Sequence, residues 1–220
     1  MLSKYHIYKI NNKIKKMSQR TNIIYNFINN PLIYMLVQKI MSGTSFRKKI
    51  IKQNIKNNKF KVLDVGCGPA EILEYMPNII YHGYDIDSRS INYAKKKYKS
   101  SNYHFYCKKL TSKEVKKLPK FDYIILFGIL HHLKNIEAIE ILKLCKNAMK
   151  KKGMLLTEDP ILTKNQNFIA KFLVSNDRGL NVRNKKKYLD LVNKFFKRTK
   201  TEITNQFFIP YTWFTMICRK

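Results

Sequence analysis

VLDVGCGPAEIL, which spans residues 62–73, has the pattern of a buried strand, a glycine-rich turn and the start of a helix. A strand that ends in glycines lets a ligand approach the backbone closely. Asp85 follows 19 residues after Gly66. An acidic side chain at about that distance can accept hydrogen bonds from a ribose. The two features together predict a cofactor that contains a nucleoside.

Outward from this segment, predicted strands and helices alternate along the chain, which indicates an α/β fold with a parallel sheet and helices on both faces. The last two strands lie too close together for a crossover helix, so we expect them to be antiparallel. The predicted strands are Lys61–Val65, Ile79–Tyr84, Tyr103–Cys107, Phe121–Phe127, Met154–Thr157, Thr199–Phe208 and Trp213–Cys218. The predicted helices are Ala70–Met76, Ser88–Tyr98 with Ser88 as N-cap, Ile136–Lys150 and Asn184–Phe196.

The chain is strongly basic, with 44 Lys and Arg against 14 Asp and Glu and a formal charge of +30. This balance is typical of proteins that bind nucleic acid or anionic membranes. However, only 7 of these residues are Arg, the residue preferred for bidentate phosphate contacts. Lys shares A/T-rich codons with Asn and Ile, which number 21 and 27. We therefore expect a generic basic surface, and nucleic acid is an alternative partner that we do not favour.

The N-terminal region is predicted to lie outside the alternating domain. Residues 1–17 have the composition of a disordered basic tail, and residues 18–58 have a helical pattern that breaks at Asn29-Asn30-Pro31. The uncharged run Thr21–Gln38 contains four Asn and a Pro, which argues against a membrane span. The tail also lacks the apolar run of a secretory signal. We expect a cytoplasmic protein with an N-terminal helical lid.

The four cysteines are widely spaced and form no CxxC pair. Reduced, buried thiols in a cytoplasmic protein are the simplest interpretation, and we expect no metal site. They are Cys67, Cys107, Cys145 and Cys218.

Four segments together resemble the class I, Rossmann-like S-adenosylmethionine-dependent methyltransferases. They are VLDVGCGPAEIL (62–73), GYDID (83–87), FDYIILFGILHHL (121–133) and KKKGMLLTEDP (150–160). The resemblance covers roughly residues 59–218. It implies a methyltransferase domain over residues 59–220 with a seven-stranded, mostly parallel sheet, a C-terminal antiparallel hairpin and S-adenosyl-L-methionine as cofactor. Nicotinamide enzymes usually carry a third glycine, where this chain has Ala70 or Glu71.

The resemblance implies roles for five residues of the first two segments. Gly66 and Gly68 would let the backbone meet the methionine part of the cofactor. Asp64 would orient its amino group through water. Asp85 would accept from the ribose hydroxyls, and Ile86 would pack on the adenine.

Strand four ends in Gly128, His131 and His132, where ligands of open α/β sheets bind. Gly128 would allow close approach to the cofactor. Either histidine could act as a general base, and His132 is our first choice. One departure from the family is the stretch Cys107-Lys108-Lys109-Leu110, because many members carry an acid there that binds the adenine amino group.

The acceptor side is predicted from strand five and from an insertion over residues 160–184. Asp159 could line the acceptor pocket. Arg178 and Arg183 belong to a DRGxNVR stretch similar to one in a small bacterial-type methyltransferase group of unknown substrate. They could hold an anionic acceptor such as a carboxylate or phosphate, or equally pin the insertion in place.

We interpret the chain as a methyltransferase for a small-molecule acceptor, with the lid and the insertion closing over it. Two other classes stay open. An RNA methyltransferase would cluster basic residues around the acceptor opening and lose binding as salt rises. A cofactor-binding protein without catalysis would bind S-adenosylmethionine and transfer no methyl group.

Overall fold

A computed structural model describes residues 44–55, 59–76, 78–175, 179–206 and 211–220. By backbone contacts the chain divides into two units, Met1–Thr44 and Ser45–Lys220. The predicted tail and most of the predicted lid lie outside the described residues. Of the lid, the structure describes α1, Thr44–Asn54.

The sheet has seven strands in the order β3-β2-β1-β4-β5-β7-β6. Strands β1 to β5 are parallel, and β7 pairs antiparallel with both β5 and β6. The predicted sheet and its terminal antiparallel pair are confirmed. The strands are β1 Lys61–Val65, β2 Ile80–Asp85, β3 Tyr103–Cys107, β4 Phe121–Phe127, β5 Met149–Pro160, β6 Arg198–Gln206 and β7 Tyr211–Arg219.

The helices connect these strands, and two of them were not predicted. Their bounds are α2 Ser88–Lys97, α3 Ser112–Lys117, α4 Asn135–Ala148, α5 Phe168–Ser175 and α6 Lys185–Val192, with 3₁₀ turns at Glu71–Tyr75 and Leu130–His132. The missed helices, α3 and α5, are 6 and 8 residues long. Segments this short show too few apolar repeats to be recognised by periodicity.

Several predicted boundaries differ from the observed ones, and two of these differences have a clear physical cause. The N-cap of α2 is Asp87, whose side chain accepts from the backbone N–H groups of Arg89 and Ser90, so Ser88 is the first helical residue. Strand β5 begins at Met149 because the pairing with β4 shifts its register between Phe121 and Tyr123. The extra length allows Gly153 to lie within the strand and not at the predicted helix stop.

The core lies on both faces of the sheet. One, which we call the α4 face, packs Leu63, Leu126 and Leu155 against the buried side of α4 and α6. The other, the α1 face, packs Val62 and Leu156 against α1 and α2. The carboxyl ends of β1, β2, β4 and β5 are left at one edge, which we call the carboxyl edge. None of the described helices is long and apolar enough to cross a bilayer.

Candidate active site

The glycine-rich turn after β1 is built by backbone hydrogen bonds to β2. The N–H groups of Gly66 and Cys67 donate to the carbonyl of Tyr84 at 2.7 and 3.1 Å. Gly66 and Gly68 have φ of +75° and +52°, a conformation that L side chains rarely adopt. The two glycines differ in the space around them. A Cβ atom at Gly66 would collide with the Ile129 side chain, whereas one at Gly68 would meet no heavy atom within 4 Å. Gly68 therefore leaves open space above the turn.

Asp85 holds this turn in place. Its Oδ2 accepts from the N–H of Gly68 at 2.7 Å, and its Oδ1 accepts from the N–H of Asp87 at 2.8 Å. Each oxygen uses one lone pair for the backbone and keeps a second for another donor. Two such oxygens side by side suit the neighbouring hydroxyls of a ribose.

A cavity of about 420 Å³ opens beside Asp85 on the α4 face. It runs from the turn, past residues 108–111, to His132 and α4. Ile86 lines it with 68% of its surface exposed, as expected of an apolar side chain that would pack on a flat base. An exposed isoleucine beside an apolar cavity and a carboxylate cradle fits the nucleoside half of the expected cofactor.

The departure after β3 has a structural counterpart. Lys108 is paired with Glu114 of α3, with Nζ and Oε2 2.9 Å apart. Besides Asp85, the carboxylates that line the cavity are Glu137 and Glu140 of α4. Sequence reasoning did not find them, because a helix distant in the chain supplies them.

Asp64 lies at the carboxyl end of β1 and is buried. Tyr81 donates to its Oδ2 at 2.7 Å. Gly83, opposite Asp64 in the β1–β2 register, makes room for the Tyr81 ring, because a Cβ there would lie 2.7 Å from Tyr81 Cε1. Burial raises the pKa of Asp64 to about 7, and the Tyr81 hydrogen bond opposes that rise. The carboxyl group therefore titrates in the neutral range.

Gly128 lies where β4, β5 and α1 meet. Its N–H donates to the carbonyl of Glu158 at 2.7 Å, and a Cβ there would be 3.3 Å from Nη2 of Arg47. Arg47 Nε donates to Oε2 of the fully buried Glu158 at 2.8 Å. Burial raises the pKa of Glu158, and the Arg47 charge opposes it. Nothing in the local sequence around Arg47 pointed to this contact, which joins residues 111 positions apart.

The two predicted histidines differ in their surroundings. His131 is buried, and its Nδ1 lies 2.8 Å from Oδ1 of Asp159, which also accepts from the His131 backbone N–H. His132 is exposed and lines the cavity. Gly179 packs against the His131 ring so closely that a Cβ there would collide with it. The carboxylate fixes the orientation of His131 in the way that triad acids orient an imidazole.

One acceptor-side prediction needs correction, and for a second the structure agrees with one of the two roles expected. Asp159 is fully buried and holds His131, so it does not line an open pocket as predicted. Arg183 is also buried, because its guanidinium donates to the carbonyls of Leu130, Leu133 and Asn181. It pins the loop that carries the histidines, in agreement with the second of the two roles expected for it. Arg178 lies outside the described residues.

Comparison with known proteins agrees with this geometry. Residues 63–155 match the family described as a methyltransferase domain. No curated protein matches the chain.

Similar folds occur among solved structures. An S-adenosylmethionine-dependent methyltransferase from Archaeoglobus fulgidus has a TM-score of 0.64 at 16% identity, over 85% of this chain and 99% of that one. Human N-acetylserotonin methyltransferase in complex with S-adenosylmethionine has a TM-score of 0.61 at 18% identity, over 90% of this chain and 57% of that one. The mitomycin 7-O-methyltransferase MmcR has a TM-score of 0.58 at 15% identity, over 88% of this chain and 59% of that one. The chain thus spans a little over half of the last two.

The family match begins within β1 and ends within β5, before the carboxyl end of β5. The order of the seven strands and the antiparallel position of β7 extend the likeness to the end of the chain. The chain therefore has the fold of the class I, Rossmann-like S-adenosylmethionine-dependent methyltransferases, and its residues 63–155 match a methyltransferase domain.

Proposed function

We propose that this protein transfers a methyl group from S-adenosylmethionine to a small-molecule acceptor. The observation that carries the proposal is the Asp85 cradle. One carboxylate holds the glycine turn through the N–H of Gly68 and opens onto a cavity of about 420 Å³ beside Ile86. The human and mitomycin enzymes reported above are named for small-molecule acceptors, which supports the acceptor class.

The cofactor, when bound, supplies a sulfonium methyl group that is already electrophilic. The protein therefore has to bind the cofactor and the acceptor, orient them for transfer and exclude water. Asp85 would bind the ribose hydroxyls, and Ile86 would cover the adenine. Gly68 would leave room for the chain between nucleoside and amino acid, and Asp64 would face the amino group.

An acceptor hydroxyl would also have to lose a proton. We assign that step to His131 in preference to His132. Asp159 accepts from Nδ1 of His131, which leaves the lone pair on Nε2. The Cε1 atom beside that nitrogen lies 3.8 Å from the position of a Cβ on Gly128, so this ring edge faces the end of β4. His132 is exposed, and its ring packs against that of His131.

The anionic acceptor is no longer favoured by the described residues. Of the two arginines predicted to bind it, Arg183 donates to backbone carbonyls and to Asn135. The prediction now depends on Arg178 alone.

The test has two parts. Calorimetry with S-adenosylhomocysteine asks whether the protein binds the cofactor. Absence of binding to folded protein would contradict the proposed use of S-adenosylmethionine. Incubation with methyl-labelled cofactor and fractionated cell extract then asks where the label goes. We expect label in small metabolites, insensitive to ribonuclease. Ribonuclease-sensitive label would indicate an RNA methyltransferase, and binding without any transfer would indicate a non-catalytic protein.

A further inference from the structure

Three buried side chains at the carboxyl edge of the α1 face leave a polar atom without a hydrogen-bond partner in the described part of the chain. The atoms are Oε1 of Glu158, Oγ1 of Thr215 and Nε1 of Trp213. Exposure of the three residues is 0%, 1% and 6%. A buried polar group that finds no partner in the protein destabilises the fold, so such groups call for an explanation.

The sheet brings these three atoms to one place. Glu158 and Thr215 are direct partners across the β5–β7 ladder, and Trp213 is paired with Pro160 two residues further on. Side chains of direct partners lie on the same face about 5 Å apart, and positions two residues apart share that face. The three side chains therefore form one cluster, which we call the β5–β7 cluster.

The β5–β7 cluster is joined to the site. Arg47 donates from Nε to Oε2 of Glu158. The other carboxylate oxygen, Oε1, is the unpartnered atom of the cluster. The same guanidinium places Nη2 3.3 Å from the position of a Cβ on Gly128. Since Gly128 ends β4, the cluster lies next to the strand end where the methyl group would be transferred.

The chemistry of the open atoms defines a ligand. Trp213 Nε1 can only donate, an ionised Glu158 can only accept, and the Thr215 hydroxyl can do both. Arg47 already balances the charge of Glu158. A charged ligand group would therefore be buried without a counterion, which is strongly unfavourable. A neutral group with a donor and an acceptor side by side would satisfy the cluster.

We propose that the β5–β7 cluster is the acceptor-recognition site and binds an amide-like group of the acceptor. An N–H of the ligand donates to Glu158 Oε1, and its carbonyl oxygen accepts from Trp213 Nε1 and from Thr215. That the bound molecule is the methyl acceptor rests on the proposed function. Binding at the cluster can be measured without the cofactor.

Trp213 makes that measurement direct, because it is the only tryptophan in the chain. In ¹⁵N-labelled full-length protein, its indole N–H gives a single resonance. Three probes of similar shape are titrated separately: benzamide, benzoate and benzylammonium. We expect benzamide to shift the indole resonance in a saturable manner, with an affinity at least fivefold tighter than either charged probe. No shift with benzamide, or equal or tighter binding of a charged probe, would overturn the proposal.

A pair of valine variants tests the geometry. Thr215→Val removes one hydroxyl from the cluster and should weaken benzamide binding about threefold or more, because one hydrogen bond is lost. The control is Thr212→Val, on the same strand and equally buried but, an odd number of residues away, on the opposite face. It should leave the benzamide affinity within twofold. Equal effects of the two variants would refute the assignment.

S-adenosylhomocysteine affinity is measured for the same samples. If benzamide binds as expected and the cofactor does not, the proposed function fails while the β5–β7 cluster stands as a binding site. If the cofactor binds and benzamide does not, the present inference fails alone.

Discussion

The two halves of the carboxyl edge differ in how their polar groups are paired. In the cofactor half, at the ends of β1 and β2, each oxygen of the Asp85 carboxylate accepts from one backbone N–H group, that of Gly68 or of Asp87. The acceptor half, at the ends of β5 and β7, keeps buried polar atoms on Thr157, Glu158 and Asp159 without a partner in the described chain.

This difference follows from what each half would bind. A cofactor shared by a whole family can be met by backbone groups that form with the fold, whatever the surrounding side chains. An acceptor is particular to one enzyme, so the side chains that meet it come from strands at the far side of the sheet. Each polar atom left unpaired in this way destabilises the fold by about 1–3 kcal/mol, and a bound ligand would remove that penalty. We expect the cofactor half to be rigid and the acceptor half to carry specificity.

The largest effect is expected at the histidine of the acceptor half. His131→Ala should lower turnover of a hydroxyl acceptor by about 10² to 10³-fold, because a general base contributes that much. Affinity for S-adenosylhomocysteine should change less than threefold. His132→Ala is the matched control and should retain more than a fifth of the activity. Label transfer measures turnover, and the reverse order of the two variants would restore His132 as the base.

On the cofactor half, Asp85→Ala should weaken S-adenosylhomocysteine binding about 100-fold, or roughly 2.7 kcal/mol. The variant loses two charge-assisted hydrogen bonds that shape the turn as well as the ribose contacts. Calorimetry gives the dissociation constant. Asp190→Ala, on the exposed side of α6, is the control and should bind normally. Near-normal affinity of Asp85→Ala would refute the ribose assignment.

The two glycines of the turn should fail in different ways. Both have positive φ, so an alanine at either position adds similar backbone strain of about 1 kcal/mol. Gly66→Ala also collides with Ile129 and should lower the melting temperature substantially. Gly68→Ala meets open space, so it should keep most of the stability but weaken cofactor binding about 10-fold. Thermal unfolding and calorimetry on both variants separate the effects, and matching losses of stability would contradict the difference.

A pH dependence of cofactor affinity, similar in size to the effect at Gly68, is also expected. The pKa of Asp64 is about 7 because the group is buried. A ligand ammonium group favours the ionised carboxylate, so below pH 7 binding has to expel a proton and affinity falls. Between pH 8 and pH 6 the dissociation constant of S-adenosylhomocysteine should rise about 10-fold.

Asp64→Asn removes the titrating group and is the control for this pH dependence. Its affinity should be weaker at pH 8 and nearly constant down to pH 6. A wild-type profile as flat as that of the variant would show that Asp64 does not face the amino group.

Much of the fold could be predicted because its signals are local. The bounds of β1, β3 and β4 agree with the predicted segments, since each is a short apolar or β-branched run flanked by polar or turn residues. The boundary of α2 could not be resolved in the same way, because Asp87 and Ser88 are both good caps and adjacent. The β5 boundary depended on pairing with β4, which only the assembled sheet shows.

The cofactor half is determined by the sequence alone. Its strand, its glycine turn and the acid on the next strand are close in the chain and adjacent in a parallel sheet. The acceptor half was settled by folding, which brought Arg47 to Glu158, Asp159 to His131, and Thr215 beside Glu158. The reason is physical. Hydrogen bonds and burial at that edge join residues far apart in the chain, and their partners become defined when the sheet and its helices pack together.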